Sequence, residues 1–233
     1  MKIAVLGDVH GNLGALDAVL RDARECGARR FWCVGDVVGY GADPNACCEL
    51  VRKLPGAAVA GNHDHACAGL ISLDGFSDRA RASALWTRRR LSPENRSWLR
   101  SIPLVAEPEK GVQLVHGSLD RPSEWNYLFP DADPTPHFAS QAGRLCFVGH
   151  THVPAVFAEL GGIVYVSAPE PFRFEPDGAM KVTVNVGSVG EPRDEDPRPG
   201  YVLYDASTGE IEPRRVETCV LSRASRGAHR TRA

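Results

Sequence analysis

The 233-residue chain is 43% hydrophobic and 24% charged, ordinary proportions for a soluble globular protein with a sizeable core. Its net charge of −2 offers no bulk attraction to nucleic acid or to an anionic membrane, so any recognition of phosphate must be local. No apolar run approaches the ~20 residues of a membrane span, and the N-terminus shows no leader pattern; a cytoplasmic location is expected.

Lys2 to Leu6 reads as a strand buried on both faces. Leu13, Leu16, Val19, Leu20 and Ala23 then recur at helical spacing, with Asn12 as N-cap and Gly27 as the stop. Arg30 to Val34 is a second strand. Pro44 to Leu54 reads as a helix, with Asp43 as N-cap and Pro44 at its first position. Ala57 to Ala60 is a third strand. This alternation predicts right-handed crossovers and a parallel sheet, with a ligand site outside the carboxyl ends of the strands. Residues 77 to 101 are helical, with a second short helix starting at Ser92-Pro93-Glu94. The run Arg88-Arg89-Arg90 reads as a solvated helix face.

From Gly111 onward the pattern is mostly β. Strands are expected at Val112 to Val115, Arg144 to Val148, Ile163 to Val166, Met180 to Val186 and Gly200 to Tyr204. Ser207-Thr208-Gly209 is a turn before Ile211. These suggest a second, more antiparallel sheet. Residues 121–137 form a long aromatic and proline-rich loop, a candidate substrate wall around Trp125 and Tyr127. Seven cysteines, at 26, 33, 47, 48, 67, 146 and 219, form no CxxC pair and are expected to be reduced. One domain over 1–221 is expected, followed by a basic tail, 222–233, that reads as disordered.

Five stretches share one shape, a short apolar run that ends in glycine and donor side chains. They are Gly7-Asp8-Val9-His10-Gly11, Gly35-Asp36, Gly61-Asn62-His63-Asp64, His116-Gly117 and Gly149-His150-Thr151-His152. Five of the eight histidines lie there. His65, His137 and His229 read as hydrogen-bonded loop residues. Carboxylate, imidazole and amide oxygen without thiolate suit Mn, Fe, Ni, Co or Zn. Seven ligands suggest two ions bridged by one carboxylate, with Asp36 as the bridge, an arrangement that can clamp a phosphoryl group and activate water. Gly7, Gly35, Gly61 and Gly149 are expected to let the backbone turn sharply at each strand end.

Asp8-x-His10, Gly35-Asp36, Gly61-Asn62-His63-Asp64, His116 and Gly149-His150-Thr151-His152 together resemble the motif set of the calcineurin-like metallophosphoesterase superfamily. Gly35-Asp36-Val37-Val38-Gly39-Tyr40-Gly41 and Asn185-Val186-Gly187-Ser188-Val189-Gly190-Glu191-Pro192-Arg193 are similar to its small bacterial and archaeal phosphodiesterases, which more often carry Gln at the position of Glu191. The resemblance implies an α/β fold, a four-layer α/β/β/α sandwich of two mixed sheets flanked by helices. It implies that Asp8, His10, Asp36 and His152 hold one ion, and Asp36, Asn62, His116 and His150 a second, Mn or Fe foremost. His63, oriented by Asp64, would protonate the leaving oxygen. Asn12 and Arg193 are candidate substrate contacts.

The sequence therefore reads as a two-metal hydrolase of small phosphate esters, diesters first. A phosphomonoesterase, protein phosphatase or dinucleoside polyphosphate hydrolase is the alternative, and a metal-binding scaffold without catalysis is a further one. Homo-oligomerisation is compatible with the sequence; nucleic-acid binding through the tail is not expected.

Overall fold

Lys2–Leu6 forms strand β1, and its side chains divide by parity. Ile3 and Val5 enter one apolar layer, Ala4 and Leu6 another. Burial on both faces is why the run is apolar throughout. The computed structural model describes residues 1–174 and 178–217. Helix α1 (Leu13–Glu25) begins at Asn12, whose Oδ1 accepts the Ala15 amide at 3.2 Å. Strand β2 (Arg30–Cys33), helix α2 (Pro44–Lys53) and strand β3 (Gly56–Ala58) follow, and β3, β2 and β1 pair in parallel as expected. The third strand lies slightly earlier than the sequence suggested. Val59 and Ala60 leave it as extended chain, their amides donating to Cys33 and to Pro103. Asp43 precedes α2 but its side chain makes no capping bond.

Gly61-Asn62-His63-Asp64 opens a helix, α3 (Asn62–Ala68), that ends on left-handed Gly69. Helices α4 (Asp78–Arg90) and α5 (Pro93–Ser101) start at Ser77 and Ser92, each hydroxyl accepting an amide three residues on. Arg88 is not simply a solvated residue. Its guanidinium donates to the carbonyls of Ala66 and Ile71 and so ties α4 to the end of α3.

The remaining elements are β4 (Val105–Glu109), β5 (Val112–Val115), α6 (Thr135–Ser140), β6 (Leu145–Val148), β7 (Ala155–Leu160), β8 (Ile163–Ser167), β9 (Phe172–Arg173), β10 (Lys181–Asn185), β11 (Gly200–Asp205) and β12 (Glu210–Arg215). One six-stranded sheet runs β3-β2-β1-β11-β12-β9, the other β4-β5-β6-β10-β7-β8. Both are mixed. The C-terminal strands therefore do not form a sheet of their own. β11 pairs antiparallel with β1, and β12 and β9 follow it, while β5, β6 and β10 are parallel neighbours.

That register places Val202 and Tyr204 of β11 in the layer between the sheets. Trp32, Phe147 and Tyr204 meet there with ring centres 5.7 to 6.1 Å apart. Helices α1, α2, α3 and α5 cover the first sheet; α6 with Leu119 and Leu128 covers the second. The result is the α/β/β/α arrangement, with a thinner helical layer on the second sheet. No described helix is long and apolar enough to cross a membrane. Cys219, His229 and the segment 222–233 lie outside the described residues, and the six described cysteines are free thiols.

Under α6 lies a closed polar chain. The Leu119 amide donates to His137 Nδ1 at 3.1 Å, His137 Nε2 bonds the Thr183 hydroxyl at 2.9 Å, and that hydroxyl donates to Gln141 Oε1 at 2.9 Å. The ring must therefore be neutral, with its proton on Nε2. Burial pushes its pKa down to about 4. A lowered histidine pKa means that the unfolded chain takes up the proton first as pH falls. Between about pH 6.5 and pH 4 this one group should remove about 3 kcal/mol of stability. Denaturant titrations of wild type and His137→Gln at several pH values should show that acid-dependent loss reduced by this amount in the variant. Equal losses would contradict the assignment.

Candidate metal centre

The five strand-end stretches come together at one end of the two sheets. Asp8 and His10 follow β1, Asp36 follows β2, Asn62 and His63 begin α3, His116 follows β5, and His150 and His152 follow β6. These are carboxyl ends of parallel strands, where a sheet of this kind leaves room for a ligand. The loops are bonded to each other before any side chain is counted. Asp8 and His10 amides donate to the Gly35 and Asp36 carbonyls at 2.9 Å, and Gly149 donates to His116 at 2.9 Å. Asn185, whose role the sequence did not disclose, donates from its buried amide to Gly149 O and Thr151 Oγ1.

The sharp turns are made by the donor residues themselves. Asp8, His10, Asp36, His150 and His152 all have φ between 50° and 68°, a region that costs a side-chain-bearing residue on the order of 1–3 kcal/mol. Of the four glycines expected to turn the chain, Gly35 alone is left-handed, at φ 103°. Gly7, Gly61 and Gly149 serve close approach instead. A Cβ on Gly61 would fall on the Asp36 carboxylate, one on Gly149 on the Asp8 carboxylate, and one on Gly7 on the Val34 side chain.

Eight polar side chains are buried here, among them Asp8, Asp36 and His116 at 0–1% exposure. The imidazoles are oriented from behind. His10 Nδ1 donates to Val38 O at 3.1 Å, His116 Nδ1 to Val34 O at 2.8 Å and His152 Nδ1 to Glu191 O at 2.5 Å. That choice of proton leaves each Nε2 as a lone pair aimed inward. His10 Nε2 and His152 Nε2 stand 3.1 Å apart, and so do His116 Nε2 and His150 Nδ1. The His10–His152 pair needs positive charge, a proton or a metal ion, between or beside its two nitrogens, whereas a proton on His150 Nδ1 can bridge the other pair. The buried Asn62 Oδ1 likewise has no partner.

Two groups thus have the geometry to hold an ion: Asp8, His10 and His152, and Asp36, His116 and His150. The donors are oxygen and imidazole nitrogen, without thiolate, which fits a divalent transition metal. Without a cation, protons take its place. Burial works against a charged His116, but the Asp36 carboxylate outweighs it and lifts the ring to about 9. Burial, with His116 pushing the same way, carries His150 down to about 3. Burial raises the Asp36 carboxyl, and His116, His63 and His10 overcome it and hold it well below the usual range.

The remaining candidates surround this centre. His63 lines a cleft of about 570 Å³ together with Asn62, His150, Tyr40, Arg79, Trp125, Tyr127 and Arg193. Its amide donates to Asp36 Oδ1 at 2.8 Å, and its Nδ1 is buried without a partner. Asp64 does not hydrogen-bond that ring. Its two oxygens accept the Val38 amide at 3.1 Å and the Gly61 amide at 3.0 Å, and burial, then Asp36, raises its pKa to about 7. Asn12 is engaged at both ends, Oδ1 with Ala15 and Nδ2 with Gly190 O at 3.1 Å. Trp125 and Tyr127 do form a wall. Tyr127 stacks on His150 at 3.9 Å, and Trp125 stands edge-on to His116 and to His65. Arg79 and Phe76, which had no local sequence signal, complete the rim.

Buried carboxylates and imidazoles at the carboxyl end of a two-sheet sandwich, open to a polar cleft, define a metal-binding hydrolase. A family model described as the calcineurin-like phosphoesterase superfamily domain matches residues 1–209, and the chain belongs to that superfamily of metal-dependent phosphoesterases. An uncharacterized protein of Methanocaldococcus jannaschii is 40% identical over 219 residues, covering 92% of this chain and 87% of its own length. The crystal structure of a metallophosphoesterase from Sphaerobacter thermophilus is similar at TM-score 0.81 and 37% identity, covering 94% of this chain and 89% of that one. A hypothetical protein from Pyrococcus horikoshii shares the fold at TM-score 0.72 and 20% identity, covering 93% and 88%.

If the inward lone pairs are held by divalent cations, chelation should lower the thermal midpoint by several degrees and added Mn²⁺ should restore it. Gly61→Ala, which pushes against Asp36, should lose this metal-dependent gain. A wild-type midpoint indifferent to chelator and metal would contradict the assignment.

Proposed function

We propose that the protein is a cytoplasmic phosphodiesterase that works with two divalent ions, Mn or Fe foremost. The observation that carries this reading is the position of Asp36 Oδ2, 3.7 Å from His10 Nε2 and 3.3 Å from His116 Nε2. One carboxylate oxygen thereby faces both ligand groups, as a bridge must. The first ion would be held by Asp8, His10, Asp36 and His152, the second by Asp36, Asn62, His116 and His150. Bound ions of this kind supply an acidified water and neutralise charge on the phosphoryl oxygens.

The protein's own residues do the rest. His63 borders the cleft beside the centre, packed by Tyr40 at 4.7 Å and Phe76 at 5.2 Å between ring centres. Burial lowers its pKa, and a phosphate dianion or its ester brought alongside would favour the protonated ring. In that state it can pass a proton to the leaving oxygen. Asp64 is a positioning residue, because its bonds to Val38 and Gly61 set the start of α3 and hence the place of His63. Asn12 acts at one remove, tying the β1–α1 loop to Gly190. The diester preference is supported by the size of the cleft, about 570 Å³ with Tyr40, Arg193, Trp125 and Tyr127 in its lining, which leaves room for a second ester substituent.

Mn²⁺ returned to chelated protein should restore hydrolysis of an aryl phosphodiester more strongly than of its monoester. Dominant monoester turnover would make the protein a phosphatase. His63→Ala should keep its metal and lose about 10²- to 10⁴-fold in turnover of esters with alkyl leaving groups, with a smaller loss for nitrophenyl esters. Collapse of metal content in that variant would show His63 to be a ligand instead. Asp36→Asn should bind neither ion; two tightly held ions in it would remove the bridge.

A further inference from the structure

Two arginines, Arg79 and Arg193, stand in the lining of the cleft beside Tyr40. Arg79, on the first turn of α4, lies over one region of the Tyr40 ring, with its guanidinium carbon 4.9 Å from the ring centre. Arg193, from the loop between β10 and β11, lies 6.0 Å from the same centre. Tyr40 itself packs against His10 at 4.8 Å and against His63 at 4.7 Å. Both guanidinium groups therefore stand one aromatic ring beyond the centre. They reach it from segments 114 residues apart in sequence, and the acids of the same lining, Asp74 and Glu124, lie against other arginines, Arg81 and Arg121.

One acid holds both. Glu191 Oε1 lies 2.6 Å from Arg79, and Glu191 Oε2 lies 3.3 Å from Arg193. Each guanidinium has five N–H donors, so one shared carboxylate leaves most of them unspent. Arg79 is 74% exposed and Arg193 40% exposed. A residue so exposed adds little to stability by its ion pair, and both guanidinium groups line the cleft that His63 and His150 border. Tyr127 is stacked both on His150, at 3.9 Å between ring centres, and on Phe129, at 5.1 Å, so the cleft's two guanidinium groups, not this ring, are its unspent recognition groups.

We propose that the cleft selects phosphodiesters bearing a second anionic group, a phosphate beyond the scissile one. Arg79 and Arg193 bind that group, and Glu191 occupies the two arginines until it arrives. The substrate class is a phosphodiester with an additional phosphate. This rests on the phosphodiesterase reading, and binding separates the two.

Calorimetric titration of Mn²⁺-loaded protein with thymidine 3′,5′-bisphosphate and with thymidine 5′-monophosphate reads the second site directly, whatever the turnover. The wild type should bind the bisphosphate about tenfold more tightly or better, as expected for charge-assisted hydrogen bonds. In Arg79→Ala and in Arg193→Ala the ratio of the two affinities should fall toward one, and added salt should shrink it in the wild type. Glu191→Gln, which frees both arginines, should raise the ratio. Equal affinities in the wild type, a ratio unchanged in both arginine variants, or a lower ratio in Glu191→Gln would overturn the proposal. Bisphosphate binding without hydrolysis of the p-nitrophenyl ester of thymidine 5′-phosphate would instead sink the phosphodiesterase reading and leave the second-anion site standing.

Discussion

Two pairs of imidazole nitrogens stand 3.1 Å apart inside this protein, and much of the structure answers to that. Three of the four rings have committed their outer nitrogen to a backbone carbonyl, so in the neutral state these three present lone pairs inward. A buried cluster of lone pairs and carboxylates is unfavourable unless positive charge sits among them. Protons can supply it in part, as the raised His116 indicates. Divalent cations supply it better, because one ion satisfies several donors at once.

The rest of the fold works to hold that arrangement. Five donor residues stay in left-handed backbone, which a loop alone would relax. They are kept there by the bonds between the β1 and β2 loops, by the tie from Gly149 to His116, and by Asn185 under the β6 loop. Glycine contributes mainly through the missing Cβ, which lets Gly61 lie against Asp36 and Gly149 against Asp8. The mixed sheets follow the same logic. Parallel strands present their carboxyl ends together, and antiparallel β11 fills the side of β1 away from β2 and so completes the core.

The polar residues that gather at the strand ends were legible in the sequence because each closes a short apolar run, and that pattern needs no tertiary knowledge. The first three strands and two helices were legible for a similar reason, from apolar runs and helical spacing. The partners of β11 and β12 were not, since an apolar strand reads the same whichever sheet it joins. Two-residue β9, partly exposed β4 and six-residue α6 are too short or too polar to leave a pattern. That Asp64 bonds the Val38 and Gly61 amides and not the His63 ring was not legible, for a definite cause. The stretch is the first turn of a helix, and successive helical side chains point away from each other. Arg79 meets Arg193 only through the tertiary path of α4 over Tyr40, and no local spacing could announce it.

The account stands or falls on a centre of two ions that share Asp36. Anomalous diffraction from crystals of the Mn²⁺-loaded protein addresses this most directly. Two peaks about 3.5–4 Å apart are predicted, with Asp36 between them, one beside Asp8, His10 and His152 and the other beside Asn62, His116 and His150. A single peak, or two peaks with Asp36 bound to one alone, would contradict it.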